Sequence, residues 1–165
     1  MIFILATYVV IETFRQRTLP FPPERLWAII EPVARLPEWF AGYETAELLS
    51  GHGLGRRQRA GGQWGRHKFQ IEQTVIAYEP NRRLAWKHDS EIVDGRPAAK
   101  ISKHTESWIE LDPDPSGAGT RVRIFSRQTP SNIFTRIIIR HVAAKRIGAN
   151  IQVSLSRLEE LARKS

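Results

Sequence analysis

Residues 130–165 read PSNIFTRIIIRHVAAKRIGANIQVSLSRLEELARKS, and this closing segment has the pattern of one long helix. Pro130 followed by Ser131 and Asn132 is typical of a helix start. Mostly apolar positions then recur at three- and four-residue steps, namely Phe134, Ile137, Ile138, His141, Gly148, Ile151, Leu155, Leu158 and Leu161. They share one face of a helix, which is unstable in water unless that face is covered. The sequence therefore predicts a helix over 131–163 that packs on an apolar surface.

The rest of the chain has the pattern of a sheet with two short helices near its start. We predict strands over 7–18, 44–50, 54–60, 65–78, 83–92, 99–111 and 120–128, and short helices over 24–31 and 33–40. Gly61 and Gly62 predict a turn or bulge. Short loops between consecutive strands favour antiparallel pairing. The sequence therefore predicts a single α+β domain over 1–165, in which a seven-stranded antiparallel sheet curls around the closing helix.

Composition limits the classes of function. The chain has no cysteine, which excludes disulfides and thiolate metal sites and is compatible with a reducing compartment, so we expect a cytoplasmic protein. Its net charge is +8, from 25 basic and 17 acidic residues. No run or motif concentrates this charge, which favours a solvated basic surface over nucleic-acid binding. Weak contact with an anionic membrane surface is an intermediate alternative.

The first eleven residues are mostly apolar. A membrane span needs about 20 such residues, so this run is too short. A signal peptide begins with basic residues, and none precedes Ile2. We interpret the run as the start of the first strand, the alternative being a start codon assigned too early.

Four local patterns point to a known superfamily. They are FPPERLWAII at 21–30, RLPEW at 35–39, YEPNRRLAW at 78–86 and GTRV at 119–122. In this order they resemble the START-like, or SRPBCC, superfamily. The resemblance covers almost the whole chain and implies the helix-grip fold. That superfamily includes polyketide cyclases and dehydratases, lipid and sterol carriers, plant ligand-binding proteins and oxygenase domains, and no motif here selects among them.

The resemblance implies a pocket between the sheet and the closing helix. Strand alternation and the helical stripe predict a mixed aromatic, aliphatic and histidine lining. The predicted ligand-binding residues are Trp39, Phe69, Ile71, Trp86, His88, Ile124, Phe134, Ile138 and His141. Gly148, inside the helix, suggests either close approach of helix and sheet or space for a ligand.

Two histidines are weak candidates for catalysis. His88 and His141 lie on otherwise apolar faces, where a histidine is more often a hydrogen-bonded core residue than an acid or base. Ser90, Ser107 or Gln73 could orient one of them. The carboxylates of Glu72, Asp89, Glu106 and Glu110 all alternate outward, which leaves no inward carboxylate beside the histidines. No spacing typical of a metal or nucleotide site is present, so we expect no metal and no cofactor.

The preferred function is binding or transport of a hydrophobic small molecule such as a lipid or polyketide. A first alternative is a cyclase or dehydratase-like enzyme, which would require a histidine with a close carboxylate or hydroxyl partner in the pocket. A second alternative is a membrane-associated lipid or quinone chaperone. It would require basic residues of the last helix and exposed apolar residues to gather on one surface.

Overall fold

A computed structural model describes residues 9–165 of the chain. The interpretation of the apolar N-terminal run as a strand therefore falls largely on residues 1–8, outside the described part. The first described strand begins at Ile11 rather than at Thr7 and ends at Leu19.

The remaining elements follow the predicted order. The strands are β1 (Ile11–Leu19), β2 (Thr45–Ser50), β3 (Arg57–Trp64), β4 (His67–Glu79), β5 (Arg83–Val93), β6 (Arg96–Pro97), β7 (Ser102–Pro113) and β8 (Thr120–Pro130). The helices are α1 (Pro23–Ile30), a short 3-10 turn (Val33–Arg35), α2 (Leu36–Trp39), α3 (Ile133–Ile138), a π-helical turn (Ile139–Ala143) and α4 (Ala144–Lys164).

One antiparallel sheet holds all eight described strands, in the order β1-β8-β7-β5-β4-β3-β2, with the two-residue β6 paired to β5. The predicted helix-grip fold with its antiparallel sheet is confirmed. The sheet has one more short strand than predicted, because the turn after β5 extends into a brief pair with it.

The core lies between the concave face of the sheet and α4. Ile151, Leu155 and Leu158 of α4 are at most 2% exposed and pack against sheet residues such as Val122 and Ile124. Burial of several aliphatic side chains of this size is the main stabilising term for such an interface. The C-terminal half of the long helix therefore closes one end of the fold, as its stripe predicts.

The predicted turn at Gly61 and Gly62 is wrong. Both glycines lie inside β3, and the chain turns later, at Gly65. A Cβ on Gly62 would stand 2.7 Å from the backbone carbonyl oxygen of Gly42 and 3.0 Å from the Phe69 ring. Glycine is required there for close approach of neighbouring groups, which is the other common meaning of glycine in a strand.

The long helix contains a π-helical turn that the sequence pattern does not reveal. The backbone N–H of Ala144 donates to the carbonyl of Ile139, five residues earlier instead of four. One extra residue in a turn rotates everything before it by about 100° relative to α4. As a result Ile139 is buried, whereas Ile138 is half exposed.

Candidate functional site

A row of polar side chains crosses the concave face of the sheet from β3 to β5. Gln58 pairs with Gln73, and Gln73 pairs with His88, so all three point to the same side. The Gln58 side-chain amide donates to Oε1 of Gln73 at 2.9 Å, and the Gln73 amide donates to the Tyr43 hydroxyl at 2.9 Å. Gln58 and Gln73 are at most 2% exposed. The row is a buried polar network in the position where a purely structural core would be apolar.

A β-bulge gives His88 a carboxylate partner. Ser90 pairs with Glu72 and His88 with Gln73, so Asp89 is an extra residue in β5. Beyond it the alternation is reversed, and Glu91 pairs with the inward Ile71. Nδ1 of His88 lies 2.8 Å from Oε1 of Glu91. The predictions that Ser90 shares the face of His88, and that no inward carboxylate stands beside it, are both wrong for this reason.

The Glu91 carboxylate selects the tautomer of the His88 ring. A carboxylate only accepts hydrogen bonds, so Nδ1 of His88 carries a proton. In the neutral ring Nε2 is then an acceptor, and in the charged ring it is a donor. The hydrogen bond from His88 holds the pKa of Glu91 below its usual range, against the opposing effect of burial. Such a histidine is oriented in the way that acid–base chemistry requires.

Aromatic rings surround this polar row. The Phe40 ring stacks on Tyr43 with 5.2 Å between centroids and meets Trp86 edge-on at 5.7 Å. Trp39 contacts the other side of Phe40 at 5.3 Å, again edge-on. Burial raises the pKa of the Tyr43 hydroxyl far above its ordinary value, while the hydrogen bond from Gln73 opposes this shift. Tyr43 is therefore a neutral hydrogen-bonding group inside an apolar wall.

Several buried polar atoms at this wall have no partner among the described residues. They are Nε1 of Trp39, Nε2 of His88 and Oε1 of Gln58. Nε1 of Trp86 also makes no well-formed hydrogen bond, but it lies close enough to the Tyr43 hydroxyl to lower the pKa of that group. Trp86 and His88 occupy successive inward positions of β5, so these two nitrogens belong to one region. An unpaired buried donor or acceptor costs about 1–3 kcal/mol, and native proteins rarely leave several together. Water or a ligand oxygen in contact with these atoms would remove that cost.

Hydroxyl groups continue the polar lining on β7 and β8. Ser107 pairs with Trp86 on one side and with Ser126 on the other. Ser107, Ser126 and Thr105 are between 6% and 8% exposed, and within residues 9–165 their side chains make no hydrogen bond. The concave face thus changes from aliphatic, under the C-terminal half of α4, to polar at its other end.

The structure separates the predicted site residues into two groups. Trp39, Trp86 and Ile124 are fully buried, Phe69 and Ile71 are half-buried against the core, and His88 is mostly buried on the concave face. The prediction that Phe134, Ile138 and His141 line the same space is wrong. All three are exposed, because the π-helical turn rotates their part of the helix outward.

Sequence reasoning also missed three residues of the site. Glu91 was hidden by the bulge, and Tyr43 lies in a connection without periodicity. Gln58 could have been found, because a glutamine at an inward strand position beside Ala60 is unusual enough to indicate a polar interior. No such signal exists for the other two.

Gly148 lies against a strand side chain. A Cβ there would stand 2.7 Å from a guanidinium nitrogen of Arg15, which reaches the helix from β1. The group that approaches Gly148 is therefore the movable end of an arginine side chain from the sheet. At the other end of the sheet, Arg146 connects α4 to β3, because its guanidinium carbon lies 4.6 Å from the centroid of the Trp64 ring.

Two open clefts occur at the rim of the described structure. One of about 300 Å³ lies over β2, β3 and β4, and is lined in part by Thr45, Arg59 and Gln70. The other, of about 260 Å³, lies beside the start of β1 and α3. Neither is lined by the residues predicted for the pocket. Among residues 9–165 no three His, Asp or Glu side chains come close enough to hold a metal ion.

Comparison with known proteins identifies the family. A family model described as "Polyketide cyclase / dehydrase and lipid transport" matches residues 11–163. The chain belongs to this family. It is part of the SRPBCC superfamily, so the resemblance in the sequence is confirmed. A search of curated proteins found no match to this chain.

Solved structures share the fold at low sequence identity. TTHA0849 from Thermus thermophilus is 19% identical, with a TM-score of 0.72 and coverage of 93% of this chain and 98% of that one. The Zhui aromatase/cyclase from Streptomyces sp. R1128 is 15% identical, with a TM-score of 0.67 and coverage of 92% and 94%. Ara h 8.0201 is 11% identical, with a TM-score of 0.65 and coverage of 95% and 100%. These similarities show the fold alone.

Proposed function

We propose that the protein binds a hydrophobic small molecule that carries a hydroxyl or carbonyl oxygen, between the sheet and the closing helix. The observation that supports this proposal is the pair of nitrogens on successive inward positions of β5, Nε2 of His88, which has no partner among the described residues, and Nε1 of Trp86, which makes only a poorly formed contact with the Tyr43 hydroxyl. The indole nitrogen donates a hydrogen bond and the neutral imidazole nitrogen accepts one, so together they match a hydroxyl group. The aromatic rings around them suit the apolar body of the ligand.

The arrangement also indicates which side chains give way to a ligand. Trp39 and Trp86 are fully enclosed, whereas Phe40 and Phe69 are only partly buried and lie at the edge of the aromatic wall. Rotation of a partly buried ring loses less packing than rotation of an enclosed one. We therefore expect the ligand to enter beside Phe40 and Phe69.

The test uses two probes that differ by one oxygen, 2-naphthol and naphthalene, with affinity measured from quenching of protein fluorescence. Trp86→Phe keeps an aromatic side chain, although a smaller one, and removes the N–H donor, and we expect it to weaken 2-naphthol binding by roughly 2- to 12-fold, the worth of one hydrogen bond. Naphthalene binding should change little. Trp108→Phe is the matched control, because Trp108 lies on the convex face and its nitrogen donates to Glu110.

Equal effects of the two substitutions, or of one substitution on both probes, would contradict the proposed role of Trp86. Native mass spectrometry of the protein as extracted from cells would then show whether any apolar molecule is bound. Absence of binding for both probes and of any extracted ligand would contradict the binding function itself.

A second candidate function is acid–base catalysis of the cyclase kind, and the contact between His88 and Glu91 favours it. In such a step Nε2 of His88 would remove a proton from the carbon between two carbonyl groups of a polyketone. The resulting enolate would attack a second carbonyl carbon of the same molecule, forming a carbon–carbon bond. The imidazolium would return its proton to the new alkoxide, so that proton and charge balance.

Turnover of a poly-β-ketone mimic, followed by product chromatography, separates the two functions. If the protein is an enzyme, His88→Gln should abolish product while ligand binding is retained, and Glu91→Gln should lower the rate by about 10²-fold or more. His141→Gln is the control, because the His141 side chain is exposed and lies on the outward side of the helix, away from the site. Unchanged product in the His88 variant would exclude this mechanism.

A further inference from the structure

The segment formed by α3 and the π-helical turn presents an apolar face to the outside. Ile133, Phe134, Ile137, Ile138 and Val142 are between 47% and 76% exposed. Isolated exposed apolar residues are common, but five in one stretch of ten residues form a contiguous patch, which usually marks an interaction surface. The π-helical turn rotates this face outward, and π-turns occur frequently at functional positions.

Positively charged side chains surround this apolar face. Arg136, Arg140 and Lys145 have no carboxylate partner among the residues that the structure describes. From Pro115 to Leu158 the sequence contains eight lysines and arginines and no aspartate or glutamate. A second copy of the chain would bring the same positive charge to the contact, which is repulsive. The charge instead complements a negatively charged partner.

Two neighbouring features fit the same partner. Trp64 is half exposed at the end of the β3–β4 hairpin and is held next to the helix by its contact with Arg146. Tryptophan has an apolar body and a polar edge, which suits a membrane interface. Arg136 and Arg140 also line the 260 Å³ cleft. Glu12 in that cleft is already paired with Arg127, so its charge is compensated.

We propose that this docking face, defined as the five exposed apolar residues together with Arg136, Arg140 and Lys145, binds the surface of an anionic phospholipid bilayer. An amphipathic helix with apolar residues on one side and cations beside them lies in the plane of the headgroups. None of the described helices is long and apolar enough to cross a membrane. The inference stands independently of the interior ligand.

The experiment is sedimentation of the full chain with vesicles of phosphatidylcholine containing about one third phosphatidylserine, and with vesicles of phosphatidylcholine alone. We expect binding to the anionic vesicles, weakened by salt and lost on the neutral ones. Phe134→Ser should reduce the partition coefficient by about tenfold or more, because its exposed ring supplies the largest apolar contact. Removing one cation by Arg140→Gln should reduce it roughly fivefold.

Matched substitutions on the same long helix separate the docking face from net charge and folding. Ile138→Ser removes one apolar contact of the docking face, and Val153→Ser is its control, since the two positions are 47% and 44% exposed. Arg157→Gln controls for Arg140→Gln, because it removes the same charge about 25 Å further along the helix. All variants should keep the wild-type unfolding temperature within a few degrees, because they alter exposed positions.

Three results would overturn the proposal. The first is an equal loss of binding in Arg140→Gln and Arg157→Gln with no effect of Phe134→Ser, which would mean a diffuse charge effect. The second is self-association of the wild type that Phe134→Ser abolishes, which would make a second copy the occupant. The third is binding only after deletion of residues 1–8, which would make that segment the occupant.

Discussion

Substitution of Ile139 and of Ile138 by alanine tests the π-helical turn most directly. The two residues are adjacent and chemically identical, but Ile139 is 1% exposed and Ile138 is 47% exposed. Removal of the three outer carbons of a buried isoleucine loses about 2.4 kcal/mol of transfer free energy, and the cavity left behind adds to this. We therefore expect Ile139→Ala to lower the free energy of unfolding by about 3 kcal/mol.

Ile138→Ala should cost less than about 1 kcal/mol, because half of its surface is already in water and alanine is the better helix former. For a chain of this size the first substitution corresponds to a fall of roughly 6–12 °C in the unfolding temperature. Urea and thermal unfolding, followed by circular dichroism, measure both. Equal losses at the two positions, or a larger loss at Ile138, would refute the π-helical turn and restore the regular stripe.

Deletion of Val142 extends the same test. It removes the extra residue, so α3 should rotate by about 100° and exchange the exposures of positions 138 and 139. The chain has no cysteine, so a single cysteine at either position gives an unambiguous thiol-labelling rate. Labelling should be fast at 138 and slow at 139 with the turn intact, and reversed after the deletion. Unchanged labelling rates would contradict the conclusion that the π-helical turn decides which of positions 138 and 139 faces outward.

The remaining predictions concern pH and two glycines. Because the pKa of Glu91 is held below its unfolded value, its pairing with His88 should stabilise the fold above about pH 4.5. This contribution should disappear as the pH falls through the lower pKa of the folded state, which carboxyl NMR titration measures. Glu91→Gln should flatten this part of the curve of stability against pH. Gly148→Ala should be neutral or stabilising by up to about 1 kcal/mol in urea unfolding, since only the movable end of Arg15 obstructs the new methyl group, and a large loss would show that Arg15 is fixed there. Gly62→Ala should instead destabilise by more than about 1 kcal/mol, because the obstructing atom is a backbone carbonyl, and an unchanged midpoint would contradict that contact.

The part of the fold that depends on regular periodicity could be predicted from the sequence. The strands, the two short helices and the closing helix were found in the right order, because each buries one face and shows its period over many residues. The stripe from Ile151 to Leu158 is an example: it packs as predicted because α4 is regular throughout. The prediction of a turn at Gly61 and Gly62 in β3 failed, because glycine occurs both in turns and where neighbouring groups come close.

The candidate site could be predicted only in the segments that precede or follow two single-residue irregularities without crossing them, the bulge at Asp89 and the π-helical turn. His88 and Trp86 precede the bulge at Asp89, so alternation placed them correctly on the concave face. Glu91 follows the bulge, so regular alternation does not reveal it, and Phe134 precedes the π-helical turn, so it was assigned to the wrong side. An inserted residue leaves no trace in composition, and its position is decided by the three-dimensional contacts of the strand or helix.

These two insertions have a consequence for how the protein can change over evolutionary time. Both lie at the polar end of the fold, whereas the aliphatic stretch from Leu84 to Trp86 has its own partners in β4 and β7 and a separate bulge at Ile76. Loss or gain of one residue at Asp89 would exchange the acid at position 91 for a neighbour of different chemistry. The hydrophobic half would keep every partner it has. A single codon insertion or deletion at Asp89 would therefore change the chemistry of the polar end without first requiring a new core to keep the chain folded.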